Sequence, residues 1–386
     1  MKKILSILAL GAVGLVSSQA QTETIKVGAI TSLTGRFATF GKMQKAGFNV
    51  ALSEINAKGG ILGRKVEMLL EDDASDTNKA LAAAEKLQNA GAPLMIGAYA
   101  SGITKPLSQY AARVKLPLLV ATAVDETITK PGNDYTFRVN NASSAYSDAF
   151  FELFAQYKGI KKLALLNSND AFGNSIATDV VRMSKRGYTL ATDKYDTGLT
   201  DFRPILNRFK AQNPDVVMFA SYEADSIAIM RQAKEIGLKP NFFFAGFATG
   251  FALPSFPKNA TDAADNMLVS VAWNDDVRYP GAQELYKNLK AELGEEPSQH
   301  AAQSYAAMLV AADAIKRAGS ITDREKVRLA LETTRISTGF GPVRFLDYRG
   351  FNNQNPVISI ITQIQKGKPI TVFPARIAEG TIVVPK

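Results

Sequence analysis

At 386 residues the chain is longer than one hydrophobic core usually organises, so two domains are expected. Its 46% hydrophobic and 21% charged residues are ordinary for a soluble globular protein, and the absence of cysteine excludes disulfides, thiolate metal sites and a lipid anchor on a cleavage-site cysteine. The formal charge of +9 is spread among interspersed acids, and no basic run alternates with aromatics, which argues against nucleic acid as a partner.

Residues 1–20 stand apart. Lys2 and Lys3 precede an apolar run from Ile4 to Val16, and Ser18-Gln19-Ala20 follows. A basic start, a short apolar run and small residues before the cut make a cleaved secretory signal peptide, too short to span a bilayer. The mature protein is therefore expected to be exported, periplasmic in a cell with that compartment.

From Ile25 strand and helix patterns alternate. Ile25 to Ile30 is β-rich. Met43 to Lys58 places Ala46, Val50, Ala51 and Ile55 on one helical face, stopped by Gly59-Gly60. Lys65 to Leu70 is the next strand, and Asp76 can cap a helix over Thr77 to Asn89. Leu94 to Ile96 leads into Gly97-Ala98-Tyr99-Ala100-Ser101-Gly102-Ile103-Thr104, a strand, a tight turn and a helix start in succession. The first amides of a helix lack internal partners and its dipole is positive there, so this turn can receive a small anion. Ser101 reads either as the cap of that helix or as a hydroxyl donor to a ligand. Leu116 to Ala121 is the following strand, ending at Thr122 and Ala123.

Strands separated by helices imply right-handed βαβ units and a parallel sheet, whose ligands bind beyond the C-terminal strand ends. Thr31 to Gly41, Ala98 to Thr104 and Ala121 to Thr127 therefore come together. A second alternating series begins at Asn140-Asn141-Ala142-Ser143-Ser144 and runs through strands at Lys162 to Leu166, Tyr188 to Lys194, Asp215 to Ala220 and Asn241 to Ala245. Helical stretches at Pro280 to Leu293, Gln299 to Ala318 and Asp323 to Leu331 then need a sheet to cover. The fold class expected is α/β, two doubly wound Rossmann-like lobes joined by three crossovers. Residues 21–140 with 271–340 would form the first lobe and 141–270 with 341–386 the second.

Catalysis finds few parts. The single histidine, His300, sits at a helix start and reads as a surface or capping residue. Without a second histidine or any cysteine, the usual nucleophilic triads and metal sites cannot be assembled. Neither an enzyme nor a metal or other cofactor is expected. Binding is better served. Thr122 and Ala123 can offer a hydroxyl and free amides beside Ser101. Tyr99 lies in the turn itself. Phe40, Phe172, Tyr222 and Phe247 follow or lie near strand ends, where aromatics wall ligand pockets or simply fill the core.

These stretches together resemble the leucine/isoleucine/valine-binding protein family, the type I periplasmic solute receptors of ABC importers. The residues that carry the resemblance are Ile25-Lys26-Val27-Gly28 with Leu33-Thr34-Gly35, Ile55 to Gly63, Asp72-Asp73 with Asp76, Ser101 to Pro106, Phe137-Arg138, Phe172-Gly173, Asp201-Phe202 and Arg231 to Leu238. The resemblance implies two α/β lobes that close on a small carboxylate ligand and are then recognised by a membrane permease, the receptor itself being a monomer. It implies that Ser101 and the Thr122 region hold the carboxylate, that Phe40 and Phe172 wall the pocket, and that Tyr222 helps hold an amino group.

Two positions depart from the family. Amino-acid receptors carry a glutamate after the strand equivalent to Phe242 to Ala245, where this chain reads Gly246-Phe247-Ala248-Thr249. Asp125, Glu126, Glu223 and Asp225 are the acids that can substitute. Ser75 and Ala100 stand where the family often has a first-lobe disulfide. The expected function is therefore an exported receptor for a branched-chain amino acid or related small carboxylate. Alternatives are an aromatic or aliphatic acid without an amino group, an amide or urea-like solute, and a ligand-sensing module of a signalling system.

Overall fold

The computed structural model describes residues 24–385; the expected signal peptide lies outside them. In chain order the first lobe opens with β1 (Ile25–Thr31), α1 (Ala38–Ala57), β2 (Val66–Asp72), α2 (Thr77–Asn89), β3 (Met95–Ile96), α3 (Ser101–Val114), β4 (Leu118–Val120) and β5 (Thr136–Arg138). The chain then builds α4 (Ser143–Phe154), β6 (Lys162–Ser168), α5 (Ala171–Ser184), β7 (Thr189–Tyr195), α6 (Arg203–Ala211), β8 (Val216–Ala220), α7 (Glu223–Glu235), β9 (Phe243–Phe247), α8 (Ser255–Ala260) and β10 (Leu268–Val271). Next come α9 (Ala282–Leu293), α10 (Gln299–Ala318), α11 (Arg324–Glu332) and the hairpins β11 (Arg335–Thr338) with β12 (Gly341–Arg344) and β13 (Leu346–Tyr348) with β14 (Phe351–Gln354). β15 (Ile360–Gln365) and β16 (Lys368–Phe373) end the series.

Two seven-stranded sheets result. One has the order β13-β14-β5-β4-β3-β1-β2 and the other β16-β15-β10-β9-β8-β6-β7. Strands β1 to β5 pair in parallel, with Gly28 opposite Met95 and Leu118 opposite Thr136. Strands β6 to β10 do the same, and β15 and β16 join that second sheet antiparallel. The central strands are buried on both faces, as an apolar run such as Leu163 to Leu166 requires in a sheet covered by helices.

The chain passes between sheets after β5, after β10 and between β14 and β15. The third passage differs from the return expected near Gly341. Both hairpins remain with the first lobe because Gln354 pairs with Arg138 of β5 and accepts a bond from its buried guanidinium at 3.0 Å. With only three residues, all exposed, β13 is too short for its pattern to announce this. Side-chain amides tie the passages together: Asn355 donates to Val139 O at 2.9 Å and Asn141 to Ser359 Oγ at 2.5 Å.

The late helices do cover the first sheet. α10 packs along α1, and the contact is close because residue 47 is glycine. A Cβ on Gly47 would meet Ala301 O at 2.1 Å. This fit brings the first turn of α10, with Gln299, His300 and Gln303, against the C-terminal ends of the first-lobe strands.

Candidate functional site

The turn after β3 is shaped by Gly97, whose φ of 150° brings its Cα against Ile30 O; a Cβ there would lie 2.5 Å from that oxygen. Helix α3 then starts at Ser101 with Ala100 as its N-cap, and no side chain caps it. Ser101 is thus the first helical residue, and its hydroxyl is not used on its own helix. Its Oγ instead accepts the N–H groups of Val124 and Asp125, both at 3.2 Å. Two accepted bonds leave the hydroxyl hydrogen free to donate. The N–H groups of Ser101 and Gly102 open the helix, where no intrahelical acceptor exists. This end of the cleft presents hydrogen-bond donors.

The loop that meets it, Ala121 to Glu126, is held from beneath by Arg138. This fully buried side chain donates to Ala123 O and Asp125 O, both at 2.6 Å. Burial pulls its pKa down to about 10, so the guanidinium stays charged at neutral pH. Its role is to fix carbonyls, and with the Ala123 carbonyl the Val124 N–H of the same peptide unit, which bonds Ser101. Thr122 behaves differently from Ser101. Its hydroxyl donates within the protein, to Tyr99 O at 3.2 Å, and accepts from Gln44 Nε2 at 3.3 Å.

Around these groups lies a small inter-lobe cavity. First-lobe residues Tyr99, Ala100, Ser101, Thr122, Ala123, Val124 and Asn140 face it, with Gln299, His300 and Gln303 of α10. Tyr146, Phe172, Tyr222, Ala248 and Thr249 close it from the second lobe. The lobes are shut over it: Arg36 reaches across to Asp225 at 3.1 Å and to Thr197 Oγ1 at 2.8 Å, with its guanidinium 4.6 Å from the Tyr222 ring centre.

Of the residues expected at the site, Tyr99, Ser101, Thr122, Ala123, Phe172 and Tyr222 face the cavity. Phe40 does not. It stacks on the outer face of Tyr99, with ring centres 4.3 Å apart, and supports the wall from behind. Phe247 also lies off the cavity, because the last residue of β9 points toward α4 and packs edge-on against Phe150 at 5.1 Å. The backbone just beyond it does reach the cavity. Ala248 and Thr249 have φ of 28° and 35°, a left-handed conformation that costs non-glycine residues about 1–3 kcal/mol. Thr249 Oγ1 donates to Ser221 O at 2.6 Å, which secures the turn.

His300 requires a correction. It is not a surface residue: only 3% of it is exposed, and it faces the cavity between Tyr99 and Phe40. Ser298, not His300, caps α10, accepting the His300 N–H at 3.3 Å. Burial pulls the imidazole pKa down to about 3, so it is neutral. Gln299 and Gln303 were missed with it, as were Asn140 and Tyr146. The available signal was three polar residues at one end of a long alanine-rich helix, at a spacing that puts Gln299 and Gln303 on one face.

The cavity lining contains no acidic side chain, and its one basic side chain, His300, is neutral. The four acids that could replace the family glutamate are engaged elsewhere. Asp125 accepts from Thr127 N at 2.9 Å and Oγ1 at 2.8 Å, and Glu223 accepts from Ser255 Oγ at 2.5 Å. Asp225 holds Arg36 and accepts from the Tyr195 hydroxyl at 2.9 Å. Glu126 borders a different cavity, beside Asp148 and Arg349. Burial pushes the phenols of Tyr99, Tyr146 and Tyr222 up, so these too are uncharged. The result is a neutral polar and aromatic chamber with donors at the α3 end.

Two α/β lobes closed over such a chamber define a solute-binding protein. The chain matches the family described as Periplasmic binding protein over residues 24–369. It is 27% identical to Leu/Ile/Val-binding protein homolog 7 of Brucella melitensis biotype 1, over 98% of this chain and 99% of the relative. Its fold superposes with TM-score 0.82 on the branched-chain amino acid transporter substrate-binding protein LivJ of Streptococcus pneumoniae in complex with isoleucine, at 24% identity and covering 94% of this chain and all of that one. It superposes with TM-score 0.80 on a solute-binding protein of an ABC transporter from Rhodopseudomonas palustris BisB5 in complex with 3,4-dihydroxybenzoic acid, at 22% identity over 93% of this chain and 98% of that chain. The chain belongs to the periplasmic binding protein family, in its leucine/isoleucine/valine-binding group. That family consists of solute-binding proteins rather than enzymes.

Proposed function

We propose that this protein is the exported solute receptor of an ABC importer and that its lobes close on a small monocarboxylate lacking an ammonium group. The observation that carries the reading is the charge of the chamber. A carboxylate finds the free Ser101 hydroxyl and the N-terminal amides of α3, while an ammonium finds no carboxylate among the residues that face it. A buried cation without a paired anion is strongly disfavoured. Tyr99, Phe172 and Tyr222 give the ligand an apolar or aromatic wall. In this reading residues 1–20 direct export, the closed receptor works as a monomer, and its partner is a membrane permease that recognises the joined lobes.

A second reading, a branched-chain amino acid receptor, is favoured by the names of the relatives and by the isoleucine in the Streptococcus complex. A thermal-shift screen backed by calorimetry separates the two, because a ligand that binds only the folded state raises stability by about 2.7 kcal/mol at a hundred times its Kd. Benzoate or 4-methylpentanoate should raise the melting temperature more than leucine, isoleucine or valine at equal concentration. Tighter binding of leucine than of every plain carboxylate would overturn the proposal.

A further inference from the structure

Gln303 is buried to 1% exposure and faces the cavity, yet its Oε1 has no hydrogen-bond partner. The amide cannot simply be turned round. Asn140 donates from Nδ2 to Thr122 O at 2.6 Å, which leaves its Oδ1 as an acceptor. That oxygen receives Gln303 Nε2 at 2.5 Å and the Tyr146 hydroxyl at 3.0 Å. Flipping Gln303 would set oxygen against oxygen. The chain from Thr122 through Asn140 therefore fixes Gln303 Oε1 as the free end.

A buried acceptor without a donor costs about 1–3 kcal/mol, and native proteins seldom leave one. The neighbouring His300 is also underused. Its Nε2 lies 3.4 Å from the Tyr99 hydroxyl and its Nδ1 3.4 Å from Ser298 Oγ, both at the outer limit of a hydrogen bond. The α10 wall thus asks for a donor, whereas the α3 end offers one. Because the chamber holds no acid, the donor it suits is a neutral one.

We infer that the solute is a hydroxylated monocarboxylate, whose carboxylate meets Ser101 and whose hydroxyl donates to Gln303 Oε1. This rests on the carboxylate reading above and adds to it a second polar group and the residue that selects for it. A site built around a ligand hydroxyl rejects the analogue that lacks it far more strongly than an apolar pocket distinguishes one methylene, because the orphaned protein group stays buried.

The test uses matched pairs on the full mature chain: benzoate with 3- and 4-hydroxybenzoate, and 4-methylpentanoate with 2-hydroxy-4-methylpentanoate. Leucine serves as the charged counterpart of the second pair. Calorimetry should give at least one hydroxylated member a Kd about tenfold or more below that of its plain partner. In Gln303→Met, which keeps the bulk and removes the acceptor, that ratio should fall to near one, with the plain acid binding within a few-fold of its wild-type Kd. Taking the ratio within each variant cancels any general loss of fold, and Gln303→Leu repeats the measurement with a different shape. Plain and hydroxylated acids of equal affinity would overturn the inference while leaving the carboxylate reading intact, as would a hydroxyl preference that survives both substitutions. Failure of every acid in the set to bind, or a preference for leucine over all of them, would overturn both.

Discussion

The two ends of the binding chamber are built on opposite plans. At the α3 end, unsatisfied donors converge: the Ser101 hydroxyl is free because two amides already occupy its lone pairs, and the helix start adds its own N–H groups. At the β9 end, the side chains around the turn are engaged with the protein. Thr249 Oγ1 bonds Ser221 O, the nearby Glu223 carboxylate is taken by Ser255, and Asp225 is taken by Arg36 and Tyr195. The comparison teaches where free donors lie. In the proposed reading the first lobe meets the carboxylate, while the second supplies shape and seals the chamber, with no acid in its lining and Asp170 set behind the Tyr222 hydroxyl.

The strongest way to break this contrast is to remove what holds the donor end in shape. Arg138→Met should destabilise the protein by about 3 kcal/mol or more, since Ala123 O, Asp125 O and Gln354 Oε1 lose their donor at once in a buried place. Urea denaturation measures it, and a loss under about 1 kcal/mol would show that the loop is held by other means.

A smaller effect sharpens the contrast within the donor end. Ser101→Ala should weaken carboxylate binding by about 2 kcal/mol, the scale of a hydrogen bond to a charged group. Thr122→Val should cost clearly less, because that hydroxyl is already donated to Tyr99 O. Calorimetry on the two variants decides between them, and equal losses would mean that the free hydrogen on Ser101 is not what the ligand uses.

The smallest effect concerns the neutrality of the chamber. His300 has a folded pKa of about 3, below the ordinary value near 6.5 of an unfolded chain. The unfolded state therefore binds the extra proton between those values. The contribution of the neutral imidazole is complete above about pH 6.5 and is lost as pH falls toward 3. Relative to His300→Gln, the wild type should lose about 1 kcal/mol more stability between pH 7 and 5.5. Parallel stability curves for the two proteins would place the imidazole in contact with solvent.

Much of the fold could be read from local patterns. Asp76 caps its helix as its position suggested, accepting from Lys79 N at 2.9 Å, because capping needs only neighbours in sequence. Strand and helix alternation located the turn after β3 for the same reason. The third passage between lobes was misplaced, since β13 and β14 are short hairpin strands tied to the first lobe by distant polar partners, Asn352 to Asp134, Asn353 to Thr136 O and Gln354 to Arg138. In the site, Phe40 and Phe247 were near the cavity in sequence terms, but side-chain direction put one behind Tyr99 and the other into the second-lobe core. His300 was misjudged because a lone histidine at a helix start is ordinarily exposed, and nothing local records that Gly47 lets α10 press against α1.

Sequence alone was enough for the two-lobed α/β plan, the strand, turn and helix start at Gly97 to Ser101 and the missing glutamate after β9, because each depends on residue type, order and short spacing. Which polar atoms remain free was settled by folding. Ser101 keeps its hydrogen through amides 23 and 24 residues away, and Gln303 keeps its oxygen through an asparagine 163 residues away. Hydrogen-bond capacity is limited, so what a ligand can use is whatever distant partners have left over.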